Sequence, residues 1–276
     1  MRPLWPEWHH ILSRINGAQH LLLLTDYDGT LTPIVSRPEL ALLPPPMKEL
    51  LTRLTAKRSY TVAVISGRAL EDVRALVGIK GLYYAGNHGL EIEGPSFTWV
   101  HPQVDLALPL LEDLSRQLSA RLGEISGAIV ENKGLTLSVH YRMVAPDQVD
   151  QVRAIFDDIV QPWQQQERIR VTRGKMVYEV RPPVDWDKGK AVDYFLERSQ
   201  EVQGTQNVLP FYLGDDITDE AAFQAVQDRG GVSIFVGRGD HESRATYSVA
   251  STQEVQRFLT SLLEMGQEPG DVLSGM

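Results

Sequence analysis

Residues 21–31 read LLLLTDYDGTL: four leucines, Leu21 to Leu24, run straight into Thr25, Asp26, Tyr27, Asp28, Gly29, Thr30 and Leu31. A short unbroken apolar run closed by turn residues is the pattern of a strand buried on both faces, as in a parallel sheet covered by helices. The aspartate pair at its end is unfavourable by itself. Two carboxylates two residues apart repel each other, and the arrangement calls for a compensating charge. A divalent cation is the expected one.

Outward from this strand the same alternation recurs. The segment at 44–56 predicts a helix with proline at its start, TVAVIS (61–66) a strand, RALEDVRALVG (68–78) a helix, and GLYYAGNHG (81–89) a strand running into a loop. Past the middle of the chain the pattern resumes. A helix is expected at 188–200, strand PFYLG at 210–214, a helix at 217–227, strand GVSIFVG at 231–237, a short strand near 246–249 and a helix at 252–264. Strands alternating with helices predict an α/β fold, a parallel sheet flanked by helices. Trp5 and Trp8 are expected to pack the first helix on the core. The tail from 265 is expected to fray.

Residues 107–184 read differently. A helix at 108–122 precedes a hairpin at 128–142 turning at Asn132–Gly134. A helix at 146–163 then leads to a second hairpin, RIRVT (168–172) and KMVYEVRP (175–182). This predicts a smaller α/β domain inserted into a core formed by 1–106 and 185–276. The insert carries ten Lys/Arg and ten Asp/Glu, so the whole formal charge of −9 lies on the core.

That acidic balance argues against nonspecific nucleic-acid binding, which needs basic stripes. Hydrophobic residues are 42% and charged residues 23%, ordinary for a soluble globular protein. No cysteine is present, which excludes disulfides, thiolate metal sites and a cysteine nucleophile. The N-terminal stretch has no apolar core like that of a signal peptide, and the apolar runs fall far short of the roughly 20 residues of a membrane span. The expected location is cytoplasmic, without membrane attachment.

In open parallel sheets, ligands bind beyond the carboxyl ends of the strands. Four such places carry reactive residues. The first strand gives Asp26 and Asp28; the second gives Ser66, in ISGR. The helix after the insert begins with Lys188, in DWDKGKA. A later strand gives Asp215, Asp216 and Asp219, in LGDDITDE. Three carboxylates without Cys suit a hard cation with oxygen ligands, Mg²⁺ first. A carboxylate nucleophile, Asp26, would attack phosphorus with Mg²⁺ and Lys188 offsetting the charge repulsion. Ser66 would bond a phosphate oxygen, and Asp28 would serve as acid and then base. Each residue also has a bland reading. Asp-x-Asp-Gly alone can be a turn, Ser66 a helix cap, Lys188 a solvated charge, and Asp216 and Asp219 helix acids favoured by the dipole or support for a cation. Tyr27 is expected to pack rather than react. His9 and His10 are adjacent and poorly placed to share a metal.

TDYDGTL, ISGR, DKGKA and LGDDITDE, in this order, resemble the four signature segments of the haloacid-dehalogenase-like (HAD) phosphatases. The resemblance implies a Rossmann-like core with an inserted cap, Asp26 as nucleophile and Asp28 as acid/base. It implies Mg²⁺ held by Asp26, by Asp28 through its carbonyl, and by Asp215. GNHGLE (86–91), ENK (131–133), HYR (140–142) and KMVYEVRP further resemble the trehalose-6-phosphate phosphatases, over roughly residues 20–265. That likeness implies trehalose 6-phosphate as substrate. It places Glu131, Lys133 and Glu179, with His140, Arg142 and Arg181, toward the sugar, and Gly67, Arg68, Asn87, His88 and Glu91 on the core side of the cleft. It also implies the stand-alone form, a monomer supplied by a separate trehalose-6-phosphate synthase. Glu131, Lys133 and Glu179 could equally be surface ion pairs, and His88, His140 and Arg142 structural. The rival functions are a phosphatase for another sugar phosphate, a phosphoryl mutase and a catalytically silent sugar-phosphate sensor.

Overall fold

A computed structural model describes residues 1–35, 37–174, 176–238 and 242–265. The expected frayed tail and Lys175 lie outside the described residues. The chain divides into two compact units. One joins Met1–Trp99 to the segment from Trp186 onward; the other is Val100–Asp185, against an expected insert at 107–184.

The first unit is built on β2 (His20–Thr25), the leucine run. Its parallel neighbours are β3 (Tyr60–Ile65) and β11 (Val208–Gly214). Beyond β3 lies β4 (Tyr83–Gly86), and beyond β11 lie β12 (Val232–Val236), β13 (Tyr247–Val249) and the two-residue β1 (Arg2–Pro3), all parallel. Leu21 and Leu23 enter one apolar cluster and Leu22 and Leu24 the other, so the four-leucine run is buried on both faces. Helices α1 (Trp8–Gly17), α2 (Pro45–Thr55), α3 (Leu70–Val77) and α8 (Thr252–Met265) cover the first face. Helices α6 (Lys188–Gln203) and α7 (Glu220–Asp228) cover the second. Trp8 packs on Trp5 and on Phe258, pinning α1 to α8 as expected.

Two differences from the sequence reading bear on function. The strand expected at 81–89 stops at Gly86. Asn87 and His88 then take left-handed backbone conformations, φ 48° and 60°, unusual for residues with a Cβ. The chain reverses into β5 (Glu91–Gly94), antiparallel to β4, and β6 (Phe97–Val100), which closes that edge of the sheet. This hairpin escaped the sequence pattern because its strands are four residues long and only partly buried. The helix expected at 217–227 opens as a 3-10 turn at Ile217–Asp219 before α7 begins.

The second unit holds an antiparallel sheet in the order β7 (Ile129–Asn132), β8 (Leu137–His140), β10 (Val177–Arg181), β9 (Arg170–Gly174). Helices α4 (Leu108–Leu122) and α5 (Val149–Gln165) pack on one face, against Val139, Tyr178 and Val180. Register places Glu131 opposite Ser138, Ser138 opposite Glu179, and Glu179 opposite Thr172. These polar residues form one row, on the face away from the helices, as strand alternation requires. No helix among the described residues is long and apolar enough to cross a membrane.

His20, at the start of β2, is buried and shares a 2.9 Å hydrogen bond with Thr61 Oγ1. Burial pushes its pKa below the usual 6.5. Below that pH the unfolded chain takes up a proton that the folded ring resists, so stability drops with falling pH until the folded pKa is passed. Urea midpoints measured at neutral and at mildly acidic pH are therefore expected to fall less for His20→Gln than for the parent chain.

Candidate active site

Every loop at the carboxyl end of the central strands contributes to one cluster. Asp26 follows β2 directly, and its N–H donates to Leu213 O of β11 at 2.8 Å. Its carboxylate is buried, and Oδ1 accepts from Lys188 Nζ at 2.6 Å. Lys188 is the first residue of α6. Asp187 caps this helix, accepting from Lys190 N at 3.0 Å. The ammonium is itself buried and donates also to Asp219 Oδ1 at 2.7 Å. Burial opposes the charge on Lys188, but the carboxylates of Asp219 and Asp26 outweigh it and raise its pKa. Burial likewise pushes the Asp26 carboxyl well above the usual range; Lys188 opposes this, and Asp219 and Asp215 reinforce it.

Asp219 is the surprise of the site. Read from sequence as supporting, it is completely buried and accepts four hydrogen bonds. Besides Lys188, its Oδ1 accepts from Tyr212 Oη at 2.6 Å, and its Oδ2 accepts from the N–H groups of Asp215 and Asp216 at 3.0 Å each. Those bonds shape the loop after β11 and aim Asp215. Asp216 caps the 3-10 turn, accepting from Ile217 N at 2.6 Å. The signal available in sequence was spacing: Asp215 and Asp219 are four apart, one helical turn. Nothing in the sequence pattern singled out Tyr212.

One oxygen from each of Asp26, Asp215 and Asp219 lies within 4.8 Å of the others. Three carboxylates face one lysine in a largely buried place, which leaves excess negative charge. An all-oxygen, acidic donor set of this size fits a hard divalent cation. Gly29 keeps the place open: its φ is +84°, and a Cβ there would overlap Asp215 Oδ2. The carboxylate of Asp28 is not in the group. Arg68 holds it, Nε to Oδ2 at 2.7 Å and Nη2 to Oδ1 at 2.6 Å. The Asp28 carboxylate is thus engaged by Arg68 rather than by the three-carboxylate group. Tyr27 packs: its hydroxyl donates to Ala41 O at 2.6 Å, and burial pushes its pKa up to about 12.

Ser66 ends β3 buried. It does not cap α3, whose N-cap is Ala69; its Oγ accepts from Arg68 N at 3.1 Å instead. The left-handed pair after β4 fastens this loop: Asn87 N donates to Arg68 O at 2.7 Å and His88 N to Ser66 O at 2.8 Å. A Cβ on Gly67 would stand 2.7 Å from His88 Cε1, so the close approach needs glycine. Glu91 Oε1 accepts from Asn87 Nδ2 at 2.7 Å and from Leu70 N at 2.9 Å. Burial raises its pKa against these bonds. Asn87, His88 and Glu91 thus form a bracket behind Ser66 and Arg68.

In the second unit, His140 Nε2 lies 2.7 Å from Glu131 Oε2, and Lys133 Nζ 3.5 Å from Glu179 Oε1. Thr172 Oγ1 donates to Glu179 Oε2 at 3.3 Å. Arg142, just past β8, is exposed, and Arg181 ends β10 half-buried.

The family model described as Trehalose-phosphatase matches residues 24–255, a span that contains all of these residues. The chain belongs to the trehalose-phosphatase family. Among relatives, a probable trehalose-phosphate phosphatase D of Arabidopsis thaliana is 36% identical, the alignment covering 93% of this chain and 70% of the plant protein. A trehalose-phosphate phosphatase of Mycobacterium bovis is 41% identical over 91% of this chain and 63% of its own length. Among solved structures, the C-terminal domain of Candida albicans trehalose-6-phosphate phosphatase superposes with a TM-score of 0.80 at 24% identity, covering 93% of this chain and 96% of that domain. That likeness carries the HAD fold. In this trehalose-phosphatase family member Asp26, Asp215, Asp219 and Lys188 stand together in space as well as in order.

Removing Lys188 would leave Asp26 and Asp219 buried without their cation. Lys188→Met is expected to lower unfolding stability by about 3–5 kcal/mol, with part of the loss restored in Lys188→Met/Asp219→Asn. Urea denaturation followed by circular dichroism checks both.

Proposed function

We propose that this chain hydrolyses trehalose 6-phosphate to trehalose and inorganic phosphate through an aspartyl-phosphate on Asp26, with Mg²⁺ as cofactor. The observation that carries the reading is the buried Asp26–Lys188–Asp219 arrangement with Asp215 beside it, in a family whose members are named for this reaction.

Lys188 holds one oxygen of Asp26 and leaves the other to attack phosphorus. The bond to the sugar oxygen breaks as the bond to Asp26 forms, and Asp28 gives the departing oxygen its proton. Water then attacks the phosphoryl group, Asp28 takes the water proton, and Asp26 is regenerated with release of phosphate. Ser66 and Lys188 bond the phosphoryl oxygens while charge spreads over them. Asp26, Asp215 and the Asp28 carbonyl would hold Mg²⁺, with Asp219 steadying both Lys188 and the Asp215 loop; the ion supplies charge neutralisation on the phosphate. The polar sheet face of the second unit, with Glu131, Lys133, His140, Arg142 and Glu179, is assigned to the sugar hydroxyls, which need fixed donors and acceptors in number. A trehalose-6-phosphate synthase acting as a separate, upstream enzyme would supply the substrate, and the chain would act as a monomer.

The test is phosphate release from trehalose 6-phosphate beside glucose 6-phosphate and sucrose 6-phosphate, with and without Mg²⁺. Metal-dependent release from trehalose 6-phosphate alone, abolished by Asp26→Asn and lowered about 10²–10⁴-fold by Asp28→Asn, is the expected result. Equal turnover of all three sugars would sink the assignment to trehalose 6-phosphate.

Saturating Mg²⁺ is expected to raise the melting temperature by stabilising the folded chain, about 2.7 kcal/mol at a hundredfold excess over Kd. Asp215→Asn should erase most of that gain in a thermal scan.

A further inference from the structure

We infer that Arg68 is a positioning residue for Asp28: its guanidinium fork holds the acid/base carboxylate in its working orientation, and it is not primarily a phosphate ligand. The inference rests on the role proposed above for Asp28.

Asp28 stands on a turn with 42% of its side chain exposed. Left alone, such a carboxylate would rotate among rotamers in water, whereas proton transfer needs it within about 2.6–3.2 Å of the reacting oxygen. Arg68 supplies the missing constraint. Nε and Nη2 each donate to a different oxygen of Asp28, the bidentate geometry that fixes direction as well as distance. The Arg68 side chain is only 13% exposed, so the guanidinium end of the pair is shielded from solvent. It also has a rigid floor. The guanidinium lies 5.5 Å from the ring centroid of Tyr27, which is fully buried and anchored at its hydroxyl. Its backbone is held from both directions, the N–H on Ser66 Oγ and the carbonyl on Asn87 N. A carboxylate has about four lone-pair sites and the fork uses two, so Asp28 can exchange a proton while gripped.

The same geometry gives the bracket of Asn87, His88 and Glu91 a purpose. It carries the position of β4 through Arg68 to Asp28.

The experiment compares Arg68→Met, which keeps the apolar stem over Tyr27, with Arg68→Lys, Asp28→Asn and the double variant Arg68→Met/Asp28→Asn. Turnover of trehalose 6-phosphate is followed at steady state and, for slow variants, in single turnover at high enzyme concentration. Affinity for inorganic phosphate in Mg²⁺ is measured by calorimetry. A small misplacement of a catalytic group costs about 10²-fold, so kcat of Arg68→Met should fall by that order while KM and phosphate affinity stay within about twofold. Arg68→Lys, which can grip one oxygen, should recover part of the loss. In the Asp28→Asn background the Arg68 change should cost little more, since residues acting as a unit are non-additive.

A full multiplicative penalty in the double variant, or phosphate binding weakened about tenfold or more, would make Arg68 a phosphate ligand and overturn the inference. So would an unchanged kcat in Arg68→Met. If Asp28→Asn is too slow to measure, phosphate affinity together with the Arg68→Met rate still decides. Failure of the proposed function looks different: the parent chain would not release phosphate from trehalose 6-phosphate, or Asp26→Asn would retain activity.

Discussion

The ammonium of Lys188, buried between Asp26 and Asp219, is the interaction on which the site depends. It joins three parts of the chain that are distant in sequence: the end of β2, the start of α6 and the loop after β11. Neither carboxylate could be buried without it, because an isolated charge in an apolar interior is unfavourable by several kcal/mol. The triad does not balance the whole cluster, since Asp215 adds a further carboxylate. That remaining negative charge suits a hard cation. Structure and chemistry have one electrostatic origin here.

Close approach of loops is the second constraint. The loops that meet at the sheet's carboxyl edge come nearer to one another than residues with a Cβ allow. Gly29 lies against Asp215, Gly67 against His88 and Gly214 against Asp219. Opposite these glycines, Asn87 and His88 accept left-handed backbone, a strain that persists only where surrounding bonds over-determine it. Two backbone hydrogen bonds and the Glu91 carboxylate do so. The outcome is an edge in which Ser66, Arg68 and Asp28 are coupled through backbone several residues away.

The second unit solves a different problem. Alternation along its four-stranded sheet puts the apolar side chains under α4 and α5 and the polar ones on the other face. Glu131, Ser138, Glu179 and Thr172 fall in one row because the strands are in register. Glu179 is buried within that row, and Lys133 and Thr172 sit against it.

The amino-acid sequence alone determined the α/β class, the run of strand β2, and the placing of Asp26, Ser66 and Asp215 directly after strand ends. Each was legible because the pattern is local: period, turn residues and carboxylates next to strand ends. The hairpin of β5 and β6 was not legible, being short and half-buried. Nor were the contacts that hold each aspartate. Asp219 was read as support for a cation or a helix acid, and tertiary contacts with Lys188 and Tyr212 make it the buried hub. Asp28 was read as acid/base beside the nucleophile Asp26, but its grip by Arg68, forty residues on, was not legible. Only the folded structure could decide these roles, because the charge state and direction of a carboxylate depend on the groups packed around it, and those neighbours come from strands far apart in the chain.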